Sequence, residues 1–102
     1  MEKIRELSKH IEEEIEDARE YAMLALRCKE TEPELAKLYY SLSDEEMGHM
    51  GKLHKMVAEI ISKYREEKGE PPVAMMRMYD LIHEQQISHA AEVKRLQSMF
   101  RE

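Results

Sequence analysis

The sequence predicts an all-α fold, a single domain of three long antiparallel helices over residues 1–102. Three observations lead there. The chain has three Gly and three Pro in 102 residues, and four of those six fall in two short breaks. Apolar residues recur at helical spacing through each of the three segments so divided. Charged residues make up 37% and hydrophobic ones 42%, too apolar for disorder and enough for one core.

The first break is Thr31-Glu32-Pro33-Glu34. Thr31 and Glu34 have capping-box spacing, and Pro33 suits a first helical turn. The second is Gly69-Glu70-Pro71-Pro72, where Gly69 suits a left-handed C′ position and two prolines stop the helix. The expected helices cover about residues 2–29, 33–68 and 73–101. The first has an apolar stripe of Ile4, Leu7, Ile11, Ile15, Ala18, Ala22 and Ala25. The second has Leu35, Leu38, Leu42, Leu53, Met56, Ile60 and Tyr64. The third has Met75, Met78, Ile82, Val93, Leu96 and Phe100.

Several classes are disfavoured at once. Net charge is −6, against general nucleic-acid binding. No apolar run approaches the ~20 residues that cross a bilayer, and the first residues, Met1 to Glu6, show no secretory h-region. A single cysteine, Cys28, excludes an intramolecular disulfide and a CxxC metal knuckle, so a cytoplasmic location is expected. The acidic excess is concentrated in residues 1–34, with 11 Asp/Glu against 6 Lys/Arg. Nine Met read as core filler, and His10 and His54 as exposed.

Each stripe is interrupted by polar residues near its middle. In the second helix Leu42 leads to Glu46, His49 and Leu53, so Glu46 and His49 share the buried face. In the first, Ile11 leads to Glu14, Ala18 and Tyr21. In the third, Ile82 leads to Gln86, His89 and Val93. A buried carboxylate is strongly destabilising unless paired, protonated or metal-bound, so these groups are expected to meet. A faint echo at an offset of 40 matches Tyr39, Leu42, Glu46 and His49 with Tyr79, Ile82, Gln86 and His89. Asp80-Leu81-Ile82-His83 is another acid-x-x-His string, off the preferred stripe.

Glu46-Met47-Gly48-His49 places a carboxylate and an imidazole on one helix face, suited to one metal or two adjacent ones. With Glu14 through Tyr21 before it, and Pro33 through Tyr40 between, it resembles the first two helices of the ferritin-like di-iron proteins, especially the rubrerythrins. The resemblance covers roughly residues 4–65. It implies Glu14, Glu46 and His49 as iron ligands, with Tyr21 in support; Glu13 replaces Glu14 if the register slips by one. Gln86 and His89 would stand near the site from the third helix. A complete family site needs a second Glu and a second Glu-x-x-His, whereas this chain offers Gln86-Ile87-Ser88-His89. Encapsulated ferritins are similar in having half a site per chain, and they imply completion of a four-helix bundle by a second copy.

The expected function is therefore a homodimer or larger homo-oligomer holding two iron ions between chains. Ferroxidase or peroxide-scavenging chemistry, with O2 or peroxide, is what the resemblance implies. Carboxylates favour oxidised iron and an imidazole helps retain Fe(II). A second helix of about 36 residues spans roughly 54 Å. Its far half, with Val57, Ile60, Ile61 and Tyr64, is expected to need a partner. Gly48 and Gly51 suggest a close helix approach or a kink. The rival expectation is a non-catalytic assembly module in which Glu46 and His49 are a buried polar pair that sets helix register.

Overall fold

A computed structural model describes residues 2–102. It contains three α-helices, α1 (Glu2–Cys28), α2 (Pro33–Lys68) and α3 (Val73–Arg101). They form a rod 56 × 19 × 18 Å, its length set by α2. α1 packs along α2, α3 packs on α1, and α2 and α3 touch at few points.

The breaks work differently from their sequence signals. The cap of α2 is Glu32, not Thr31, and no side chain caps it. Instead the Ala36 N–H donates to the Glu32 carbonyl at 2.9 Å, and Pro33 lacks an N–H to satisfy. Gly69 has φ 84° and ψ −163°, a glycine-only conformation but not the left-handed helical one expected. Its N–H donates to the Arg65 carbonyl at 3.1 Å, closing the last turn.

The stripe of α1 is the core of the molecule. Ile4, Ile11, Ile15, Ala18, Ala22 and Ala25 are buried. Burying each of the isoleucines contributes about 1.5–3 kcal/mol. The three alanines let α2 come close. There Ser43, fully buried, donates its hydroxyl to the Ala18 carbonyl at 2.7 Å. Gln97 of α3 donates through Nε2 to that same hydroxyl oxygen at 2.9 Å, so one serine joins three helices.

In α2 the predicted face is rotated. The buried residues are Ala36, Ser43, Val57 and Ile61. Leu38 is 52% exposed and Met56 47%. Small residues, not the leucines, line the closest contact, and the apolar stripe becomes its flank. The far half of α2 is not bare either: Val57 and Ile61 join Ile4, Ile11 and Val93 in one cluster. The helix runs unbroken through Gly48 and Gly51, where an added Cβ would meet open space, so neither marks a close approach within the chain. In α3, Val93 and Leu96 are buried as expected, whereas Met78 is 61% exposed. Among the described residues, no helix is long and apolar enough to cross a membrane.

Candidate metal centre

The antiparallel pairing of α1 and α2 brings Glu14 beside Glu46 and His49. One donor atom from each lies within 4.8 Å of the others. His49 Nδ1 stands 3.5 Å from Glu14 Oε2 and 3.7 Å from Glu46 Oε1. The carboxylates are the sheltered members, with side chains 26% and 20% exposed, while the His49 side chain is 54% exposed. The group thus sits at the floor of a surface, with its imidazole at the rim.

Two carboxylates facing one imidazole leave a surplus of negative charge. The hydrogen bond between Glu46 and Glu14, then burial, then the Glu14 charge push the Glu46 carboxyl up to about 7; His49 opposes this. Glu14 Oε2 is buried and has no hydrogen-bond partner. A proton between the carboxyls relieves the repulsion in part, and a cation would relieve it while also giving Glu14 Oε2 a ligand role. Two oxygen donors and one nitrogen donor are ligand types that several divalent first-row transition ions accept. One chain supplies three donors, fewer than a six-coordinate ion takes.

The surroundings extend the picture. Leu38, His49 and Met56 follow one another by 11 and 7 residues, close to whole numbers of turns, and so form one row on α2. Half-buried Leu35, Leu42, Leu53 and Ile60 border that row. Exposed Glu45 falls on the same row and exposed Lys52 beside it, so the acid–imidazole group lies at the boundary between an apolar flank and a charged face of α2.

The other expected residues lie elsewhere. Glu13 is exposed and pairs with His10 at 3.5 Å, outside the group. Tyr21 stacks on Tyr39 with ring centroids 6.2 Å apart, two turns from Glu14. Gln86 donates through Nε2 to the Ser8 carbonyl at 2.9 Å. His89 Nδ1 lies 2.7 Å from Glu12 Oε1. Glu12 and Glu14 are two residues apart, ~200° around the helix, so Gln86 and His89 engage a different side of α1. Their hydrogen bonds go to Ser8 and Glu12 rather than to the Glu14 group.

Sequence reading missed two features. Ser43 and Gln97 form the buried polar link between helices, a role that neither residue type announces. His54, expected at the surface, is half-buried and stacks on His83 with centroids 4.7 Å apart. Their signal lay in neither apolar stripe but between two. No known protein family, curated protein or solved structure matches the chain.

Proposed function

We propose that the chain is a ferritin-like metal-binding protein in which two copies face each other across the α1/α2 surface. Glu14, Glu46 and His49 of each copy would hold a shared pair of iron ions. The reading rests on one observation: two sheltered carboxylates and one imidazole converge, with Glu14 Oε2 unpartnered, beside an apolar flank on which Leu38 and Met56 are left exposed. A two-fold pair doubles three donors to six and covers Leu38 and Met56 in the same step. When bound, iron supplies one-electron oxidation and reduction, suited to ferroxidase or peroxide-scavenging chemistry.

The chain's own residues have definite tasks in this reading. Glu14 and Glu46 neutralise the cation charge from the sheltered side. Glu46 gives up its proton as metal enters, so binding near neutral pH releases a proton from this pair. His49, at the rim, supplies the nitrogen donor and stands where the second copy arrives. The surrounding leucines, once paired, exclude water from the carboxylates.

A second reading has its own support. With Glu46 protonated, the Glu14 carboxylate beside it would have a partner without any metal, which suits a non-catalytic assembly module. The two separate in a titration of purified protein with Fe(II) under anaerobic conditions, read by calorimetry and by sedimentation. The metal reading expects two iron per dimer, and loss of binding in Glu46→Ala and in His49→Ala with the helical spectrum retained. A dimer without iron uptake favours the module. A monomer that binds no iron overturns both.

A further inference from the structure

We propose that the His54–His83 stack is an acid-sensitive latch: with both rings neutral it holds the first half of α3 against α2, and with both protonated it releases it. This goes beyond the metal reading and does not depend on it.

The position comes first. α2 and α3 touch at few points. Towards the α3 C-terminus they are tied by the Ser43–Gln97 hydrogen bond, the Tyr40–Phe100 stack at 4.9 Å and the Arg101-to-Tyr40 hydrogen bond at 2.6 Å. Towards the α3 N-terminus the side-chain tie is aromatic: His54 on His83 at 4.7 Å, then Tyr79 on His83 at 5.7 Å. The three rings form a short pile across the seam.

The chemistry of the pile makes it conditional. His54 Nε2 and His83 Nδ1 are shut off from solvent and have no hydrogen-bond partner. Among the described residues, no carboxylate lies within ion-pair distance of either ring, in contrast to His10, His49 and His89. On α3 the neighbouring groups are the Tyr79 phenol, held neutral by burial, and Asp80, whose charge acts on Tyr79. Tyr79, the end of the pile, packs against the core cluster that holds Ile4 and Ile11 of α1 and Val57 and Ile61 of α2. Burial and the His83 charge hold His54 below its ordinary value. The rings are 21° from parallel, so their in-plane lone pairs run side by side rather than converging on one metal ion. What the pile can bind is protons. One proton is tolerated, because an imidazolium can stack on a neutral ring. The second places like charges in contact with no acceptor.

The sign follows. Unfolded histidines take protons at an ordinary value, while His54 in the fold, buried and stacked on His83, takes its proton less readily. Stability of this seam is full above that ordinary value and falls as pH drops through it.

Amide hydrogen exchange on the full-length, metal-free chain tests this. Protection factors for residues 73–83 are compared at about pH 7.5 and about pH 5. The expected result is a fall on the order of tenfold in this segment, larger than in the α1 residues around Ala18 and Ala22. In His83→Phe and His54→Phe, which keep a stacked ring but cannot take the proton, protection at the lower pH should stay close to its value at the higher. Unchanged protection in the wild-type chain, or an equal fall in both variants, overturns the latch. Should the variants lose their helical spectrum, NMR titration of the wild-type rings decides. Two coupled steps support the latch, and independent single steps at ordinary values overturn it.

Discussion

The two sides of α1 carry the same kind of motif and resolve it in opposite ways. On one side Glu46-x-x-His49 of α2 meets Glu14. On the other, Gln86-x-x-His89 of α3 meets Ser8 and Glu12. The difference is one amide. Gln86 has an N–H to donate, and the Ser8 carbonyl accepts it; His89 then has Glu12 to itself. Glu46 has no N–H, and it shares one imidazole with Glu14. The first side sets two carboxylates against one imidazole, and the second sets one against one. The same spacing therefore yields two different surroundings: Glu14 and Glu46 crowd one imidazole, while the Gln86 amide takes a carbonyl instead.

The largest expected effect tests that contrast directly. Glu46→Ala or His49→Ala should abolish iron uptake in calorimetry, while His89→Ala should leave it intact. Loss of uptake in His89→Ala would mean that the two sides are not independent. Next in size is Gln86→Glu, which converts the second side into a copy of the first. It opposes a carboxylate to the Ser8 carbonyl and removes a buried hydrogen bond, at an expected cost of about 2–3 kcal/mol near neutral pH. Thermal melts should recover as the pH is lowered, because the new carboxyl is stabilised by protonation. No recovery on acidification would show that packing, not charge, is what Gln86 supplies.

The pH dependence of the metal-free protein comes third. The folded Glu46 carboxyl sits at about 7 against an ordinary 4.5, so folding favours its protonated form. That contribution is full below the ordinary value and is lost as pH rises through about 7. The loss is about 3 kcal/mol, and Glu46→Gln should remove it, leaving the apo-protein more stable on the alkaline side. Added iron should then no longer raise the melting temperature of that variant. An apo-protein weakened by Glu46→Gln would point to a structural carboxylate instead. The smallest effect belongs to Glu13→Gln, where the exposed pair with His10 should change stability by less than about 0.5 kcal/mol and iron uptake not at all.

Much of the fold could be read from residue order, for identifiable reasons. Proline and glycine act through their own backbone limits, so the three helices emerged near their true ends. The α1 stripe was legible because α1 is covered on both flanks, and every residue of the stripe but half-buried Leu7 is buried inside the chain. α2 was harder. Its close contact runs through Ala36 and Ser43, which carry little apolar signal, while Leu38 and Met56 advertise a face that α1 and α3 leave open. A hydropathy pattern records what a helix has to bury, not which molecule buries it. Within the site, Glu14, Glu46 and His49 could be grouped because each interrupts a stripe. Gln86 and His89 interrupt a stripe too, and only their depth around α1 separates them. The His54–His83 pile had no comparable signature, since stacking between two helices leaves no period in either sequence.

The buried Ser43 hydroxyl also bears on the order in which the chain assembles. It can be engaged by Ala18 as soon as α1 and α2, neighbours along the chain, form their hairpin. Only then is its oxygen held where Gln97 can reach it. Pairing of adjacent segments is kinetically favoured over closure of the longer loop to the end of α3. The hairpin is thus expected to be the folding nucleus, with α3 adding to a surface already made. Substitutions at Ala18 or Ser43 should slow folding, whereas Gln97→Ala should mainly hasten unfolding.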